Sequence, residues 1–300
     1  MTLVKRLDDR AQLRSIAEAG ARKAIAEIRV EAENTYYSMT DMWSNNPAAF
    51  KGVNLGAGTF TVGYDYLYDP SKAAETKYGL IDEERKININ KTDRVILERL
   101  FKMILDTGET DAQGLAASIV DWRDSDSELS APLGSAEALY YHGLTYPYEP
   151  KNADFEVLDE LLLVKDINEN IFEKIKEYVT VYGSGRVNVN TASKPVLLAL
   201  GLSEYIVNNI ISYRLGKDGV SGTADDGVFD SDSAITPKLS QFMSLSPSDI
   251  AQLTAVTEQY LSVASSAFKI YSRAVLKNNK TAVTTAVADK NGKVLYWQEP

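Results

Sequence analysis

Apolar residues recur at helical spacing from the start of the chain. Leu3, Leu7, Leu13, Ile16, Ala17, Ala24, Ile28 and Ala32 fall near one face of a long helix over residues 3–33, with charge on the other faces and no proline to interrupt it. Residues 40–58, rich in Asn, Gly and Ala and holding Pro47, read as a loop. Thr59 to Tyr64 alternates with the period of a strand, and Tyr78 to Ile81 is expected to open its partner. Helical patterns return over 93–105, 115–122, 158–164 and 169–178, and Val179 to Tyr182 is a short β-like stretch. Ser246-Pro247-Ser248-Asp249 opens a short helix with proline in its first turn. Alternation then runs through 261–276, and segments 281–288 and 293–297 form a hairpin about Asn291-Gly292. Strand patterns at both ends with helices between them predict an α+β protein. One body is expected from residues 1–85 and 215–300, interrupted by an inserted all-α domain at 86–214.

The middle of the chain repeats itself. R-V-N-V-N-T-A-S-K-P from Arg186 echoes K-I-N-I-N-K-T-D-R-V from Lys86, and in each copy a second helix ends in an aromatic residue and arginine, Trp122-Arg123 and Tyr213-Arg214. Such self-similarity signals two related supersecondary units. Asn90 or Thr92, and Asn190 or Thr191, are placed to cap a helix start, and Ser193-Lys194-Pro195 fits a cap with proline in the first turn. Val196, Leu197 and Leu200 supply an apolar stripe, matched by Val95, Ile96, Leu97 and Leu100. Gly201 is expected to end the first helix, and Ile206, Val207, Ile210 and Ile211 recur at helical spacing in the next. The plain reading is two packed helical hairpins. The second copy also resembles the helix-hairpin-helix (SAM-like) units of DNA-binding competence proteins, which grip phosphate with the backbone of a Gly-x-Gly hairpin. Here the hairpin is Gly201-Leu202-Ser203-Glu204. It lacks the second glycine and carries a carboxylate where phosphate would sit, so it reads as the scaffold without that activity.

Charge narrows the function. The formal net charge is −10 and the isoelectric point is near 4.8. Such a surface opposes binding to DNA or anionic lipid. No cysteine is present, which removes disulfides, thiol nucleophiles and thiolate metal sites. No run of about 18 apolar residues occurs and no secretory signal pattern is evident, so this stretch is expected not to span a membrane. His142 is the single histidine; with no nucleophile elbow, a surface or packing role is expected. No phosphate loop, dinucleotide fingerprint or H-E-x-x-H is present. A hydrolase would lack a convincing nucleophile and base, and no catalytic residue is assigned.

The chemical candidate is the loop from Leu215 to Ser233, where Asp218, Asp225, Asp226, Asp230 and Asp232 accompany one lysine, Lys217. Clustered carboxylates repel, and a divalent ion would relieve that cost. Hard oxygen ligands with glycine-exposed carbonyls suit calcium, and Asp218, Asp225, Asp226 and Asp230 are the expected ligands. The spacing is not that of an EF-hand, and a solvated acidic turn is the alternative. The ion would stabilise the loop by linkage and take no part in catalysis. A second acidic run, Asp121 to Asp126, follows a helix; turn hydrogen bonds are expected there ahead of metal.

Several stretches resemble, in order, the K-type minor pseudopilins of the bacterial type II secretion system. They are A-E-A-G-A-R-K-A at 17–24, Y-G-L-I-D-E-E-R-K-I-N-I-N at 78–90, D-W-R-D-S-D at 121–126, L-D-E-L-L-L-V-K at 158–165, Y-V-T-V-Y at 178–182 and V-N-V-N-T-A-S at 187–193. The resemblance implies a pilin-like fold, a long N-terminal helix on an antiparallel sheet, with a helical domain inserted and calcium in the pilin part. It implies a non-enzymatic subunit capping the pseudopilus tip with the I- and J-type minor pseudopilins, with secreted substrates as further candidate contacts and no nucleic acid partner. The family's membrane helix and prepilin-peptidase site have no counterpart in this sequence. This portion would then be the periplasmic part of a protein anchored in the inner membrane. Helix-hairpin-helix DNA binding is the alternative.

Overall fold

The computed structural model describes residues 3–131 and 134–300. Helix α1 (Leu3–Val30) is followed by α2 (Pro47–Phe50), β1 (Val53–Leu55), β2 (Gly58–Val62), β3 (Tyr64–Tyr66), β4 (Glu75–Lys77) and β5 (Ile81–Asp82). One tight turn at Glu83–Arg85 leads to β6 (Ile87–Asn88), α3 (Arg94–Ile104), α4 (Glu109–Arg123), α5 (Ala138–His142), α6 (Glu169–Ile175) and β7 (Val179–Thr180). Then come β8 (Val187–Asn188), α7 (Lys194–Ala199), α8 (Glu204–Arg214), α9 (Ile235–Phe242), α10 (Pro247–Tyr260) and β9 (Leu261–Ser262). The last strands are β10 (Ala267–Leu276), β11 (Thr281–Asp289) and β12 (Val294–Gln298). The protein is α+β, as the patterning predicts.

One antiparallel sheet runs β1-β2-β10-β11-β12, with β5 also on β10. Strands from opposite ends of the chain thus share it: Phe60 pairs with Ala274, and Phe268 with Asp82 and Ala288. Helix α1 lies across β2, β10 and β11. Its inward stripe, Leu13, Ile16, Ala17, Ala21, Ala24 and Ile28, packs on Phe60, Val62, Phe268, Ile270 and Ala274. Each such large side chain taken fully out of water contributes about 1.5–3 kcal/mol. Gly20 is what lets the helix close on the sheet, because a Cβ there would overlap Ser272 Oγ and the Phe60 ring. The helix ends at Val30, short of the expected Glu33, where i→i−3 bonds such as Glu31 N to Ile28 O (3.0 Å) tighten the chain into a turn.

A second hydrophobic cluster runs from Ile87 to Val263 and holds the helical hairpins. It extends beyond the expected 86–214. Phe229, Ile235, Leu239, Leu253, Leu261 and Val263 pack into it, so residues 229–263 go with the helices and only the chain beyond them returns to the sheet. A short amphipathic helix buries one stripe, and its sequence does not say against which core. The helix opened at Ser246 is likewise longer than expected, with a reciprocal Ser246–Asp249 cap and 14 residues. The expected strand over 59–64 divides. Its tail becomes β3, which pairs with β4, so the segment at 78–81 joins β10 through β5 instead of β2. The expected loop over 40–58 holds α2 and β1, and the C-terminal hairpin forms with Gly292 at φ +88°.

Candidate functional site

The two repeated units open on the same strand pairing and share several hydrogen bonds. In the first, β6 pairs in parallel with β7 (Ile87 with Val179, Asn88 with Thr180). In the second, β8 pairs in parallel with β9 (Val187 with Leu261, Asn188 with Ser262). Asn88 Oδ1 accepts from Asn90 N at 2.9 Å, and Asn188 Oδ1 from Asn190 N at 2.9 Å. Asn90 donates to Phe155 O (2.9 Å) and accepts from Phe155 N (2.8 Å); Asn190 does the same with Phe229 at 2.8 and 3.0 Å. The asparagines expected as helix caps therefore fasten a distant strand-like segment. The positions ahead of the helices, Asp93 and Ser193, make no side-chain cap. The terminal arginines close each unit: Arg123 Nη2 donates to Thr92 O and Arg214 Nη1 to Ala192 O, both at 2.6 Å.

The join between the two cores lies in Asp82-Glu83-Glu84, all three 3% exposed or less. Asp82 Oδ2 accepts from Asn188 Nδ2 (3.0 Å), Thr191 Oγ1 (2.6 Å) and Ser265 Oγ (2.7 Å). Glu84 accepts from Ser266 Oγ (2.5 Å) and from the backbone of Ser184, Ser266 and Ala267. Glu83 pairs with buried Lys86 at 3.0 Å and accepts from Thr180 Oγ1. Burial, reinforced by their mutual repulsion, raises the Asp82 carboxyl, and burial raises that of Glu84. Burial pushes Glu83 the same way, but Lys86 and Lys269 outweigh it and hold its pKa below the usual range. Neither periodicity nor a motif of the sequence marks this run as a buried join. Its signal was a block of charge set between Leu80-Ile81 and Ile87, flanks that belong to two cores.

Among the expected metal ligands the structure brings three together. Asp218, Asp225 and Asp226 each offer a carboxylate oxygen within 4.8 Å of the others. Asp230 stands apart, paired with Lys238 at 2.9 Å, and does not join them. The loop is tied internally. Asp225 Oδ2 accepts from Lys217 N (2.6 Å), Asp226 Oδ2 from Gly222 N (2.7 Å), and Thr223 Oγ1 reaches both aspartates. Those backbone N–H groups, led by Lys217, lower the Asp225 carboxyl, whereas burial raises that of Asp226. The donor set is hard oxygen, and its carboxylates keep lone pairs free after these bonds, so it fits calcium chemically.

His142 lies at the surface with Nε2 2.7 Å from Glu149 Oε1, as its expected role requires. A cleft of about 660 Å³ between sheet and helices is lined by Tyr64, Arg85, Glu177, Tyr178 and Tyr271, with no histidine or cysteine. No described helix is long and apolar enough to cross a membrane.

A helix-on-sheet body is thus joined to a helical unit through buried carboxylates. Residues 78–184 match the family model for protein K of the type II secretion system. The chain is 34% identical over 104 residues to type II secretion system protein K of Aeromonas hydrophila, covering 34% of this chain and 31% of that one. It is 28% identical over 162 residues to the protein K of Pseudomonas aeruginosa, covering 50% and 47%. These matches span about a third to a half of the length of the curated relatives. A chain of the GspK-GspI-GspJ complex from enterotoxigenic Escherichia coli superposes with a TM-score of 0.73 at 17% identity, over 100% of this chain and 99% of that one, which shows a shared fold. By these matches the chain is similar to type II secretion system protein K.

Proposed function

We propose that this chain is a non-enzymatic minor pseudopilin that caps the pseudopilus tip with I- and J-type partners. The observation that carries the reading is the sheet itself. Its strands come from both sides of the helical unit, and the long α1 lies across it, which supports reading the helices as an insertion in a pilin-like body. In a helical filament each subunit needs room for the next, and a side domain of this bulk would block addition. The start of α1 is available for partners, with Leu3, Val4 and Leu7 more than half exposed. The relative of like fold was solved as a complex with GspI and GspJ, which supports the same partners here. In this reading the portion works on the periplasmic side of the inner membrane, and secreted substrates would meet the helical domain.

Mixing the chain with purified I- and J-type proteins should give a stoichiometric complex on a sizing column, and Val4→Glu with Leu7→Glu should abolish it. Absence of a complex, with calcium present, would sink the reading. The alternative, DNA binding, predicts salt-dependent retention of duplex. It is disfavoured by Glu204, which occupies the hairpin and pairs with Lys194 at 2.9 Å.

The loop over 216–230 is proposed to hold calcium through Asp218, Asp225 and Asp226. Calorimetry on EDTA-treated protein should show an event that Asp225→Ala with Asp226→Ala removes.

A further inference from the structure

The charged run at the join between the two cores ends in two basic residues, and only one of them finds an acid. Lys86 has Glu83 at 3.0 Å. Arg85, 9% exposed, has no carboxylate partner among the described residues. Its Nη2 donates to Leu67 O at 3.0 Å, and the guanidinium lies 4.7 Å from the centre of the Tyr66 ring. The neighbouring acids are committed elsewhere: Asp82 to Asn188, Thr191 and Ser265, Glu83 to Lys86 and Thr180, and Glu84 to Ser266 and backbone N–H groups. A charge taken out of water without a counter-charge is costly, and a guanidinium has several N–H donors to satisfy.

The donors not spent on Leu67 open on the cleft of about 660 Å³ that Arg85 lines. Around the guanidinium the wall is apolar, with Met103, Ile104 and Pro195, and it carries the rings of Tyr178 and Tyr271. Neither of these two hydroxyls, nor the exposed Lys174 ammonium, has a partner among the described residues. Burial, then Glu177, raise the Tyr178 hydroxyl while Arg85 draws it down, which places the guanidinium within range of that oxygen. The acids of the cleft are its exposed members. Asp65 accepts from Thr76 Oγ1 at 3.1 Å, Glu173 pairs with Lys176 at 2.6 Å, and Glu177 faces water. The cleft therefore has a cationic interior, apolar walls and a mouth of mixed charge.

We propose that this cleft binds an organic carboxylate carried on an apolar body. The Arg85 guanidinium would take the carboxylate, with the Tyr178 and Tyr271 hydroxyls beside it and Met103, Ile104 and Pro195 against the apolar part. The planar fork of a guanidinium matches the two oxygens of a carboxylate. Apolar walls and three acids at the mouth disfavour a dianion such as phosphate. The volume is that of a small-molecule site and admits a few residues of peptide. Two sources supply this chemistry, the C-terminal residues of a polypeptide and a free small acid.

The test is an NMR titration of the full chain with acetyl-Leu-Phe bearing a free C-terminal carboxylate. Binding should saturate with a Kd of about 1 mM or tighter. The same peptide as its C-terminal amide should bind at least ~10-fold more weakly, because the guanidinium then meets no charge. Phenylbutyrate separates the sources: binding at least as tight as the peptide's assigns the site to free acids, and weaker binding assigns it to a polypeptide terminus. Arg85→Lys keeps the charge, loses the fork and should weaken the peptide acid at least ~10-fold. Tyr178→Phe removes one oxygen and should weaken it ~3-fold with Tm unchanged. The acid and amide comparison needs no substitution, so it holds even where Arg85→Lys fails to fold. No saturable binding of either acid up to about 10 mM, equal binding of acid and amide, or an affinity unchanged in both variants would overturn the site.

Discussion

The two Asn-x-Asn units share a backbone plan and differ in what surrounds it. In the first, Asn88 Nδ2 donates to one carbonyl, Tyr182 O at 2.8 Å, within its own unit. In the second, Asn188 Nδ2 lies 2.8–3.0 Å from Tyr37 O, Asp82 Oδ2 and Ser265 Oγ, all on chain outside the unit. The arginines follow suit. Arg123 leaves Nη1 buried and unpartnered, whereas Arg214 also reaches Val189 O and the Tyr66 hydroxyl on β3. The acidic loops invert the order. That of the first unit is partly buried with unpaired oxygens, and that of the second is exposed and threaded with backbone N–H bonds. One local design therefore serves two ends, and its energetic weight is set by what packs around it.

Substitution should expose that difference most strongly at the asparagines. Asn188→Ala leaves Asp82, Tyr37 O and Asn190 N short of partners and should cost about 3–5 kcal/mol, against about 1–2 kcal/mol for Asn88→Ala. Equal losses in chemical denaturation would break the comparison. Arg214→Met should cost about 2–4 kcal/mol and Arg123→Met about 1 kcal/mol, because only the former strands several buried acceptors.

The pH dependence separates the acidic loops next. Burial first, then neighbouring carboxylates, push Glu31 and Glu137 up to about 7, and Asp82 is raised with them. An unfolded carboxyl titrates near about 4, so between there and about 7 the folded state binds more protons and stability rises as pH falls. Asp225 is lowered by the Lys217 N–H and Asp230 by Lys238, so their contributions are lost only as pH drops through about 4 and below. In EDTA the Tm should therefore peak near pH ~5. Glu137→Gln should shrink the gain between pH 7 and 5, and Asp225→Asn should leave it intact; the reverse pattern would contradict the assignment.

The smallest contrast is at the helix–helix turns. Gly201 sits at φ +96°, where alanine would be strained by about 1 kcal/mol, and the first unit places Asp106 at φ +50° in the corresponding turn. Asp106→Gly should be neutral or stabilise by up to about 1 kcal/mol, read as a small rise in Tm.

Much of this architecture could be read before folding. The α1 face, the paired units, the Asn291-Gly292 turn and the sharing of one sheet by the two ends follow from periodicity and turn chemistry. The gathering of Asp218, Asp225 and Asp226 followed from their closeness in the chain. Asp230 could not be sorted from them, because its partner is Lys238 on α9. Nor could the oxygens of Glu137 and Asp124, which lie in separate loops, be seen to converge.

The sequence by itself determined which faces are apolar and where the chain must turn, because those depend on neighbours within a few residues. Only the tertiary structure decided that residues 229–263 join the helical core, that Asp82 and Glu84 are buried between two cores, and that Asn188 binds what Asn88 cannot. The reason is that burial and polar pairing are set by groups a hundred residues away, and periodicity reports that a face is covered without saying what covers it.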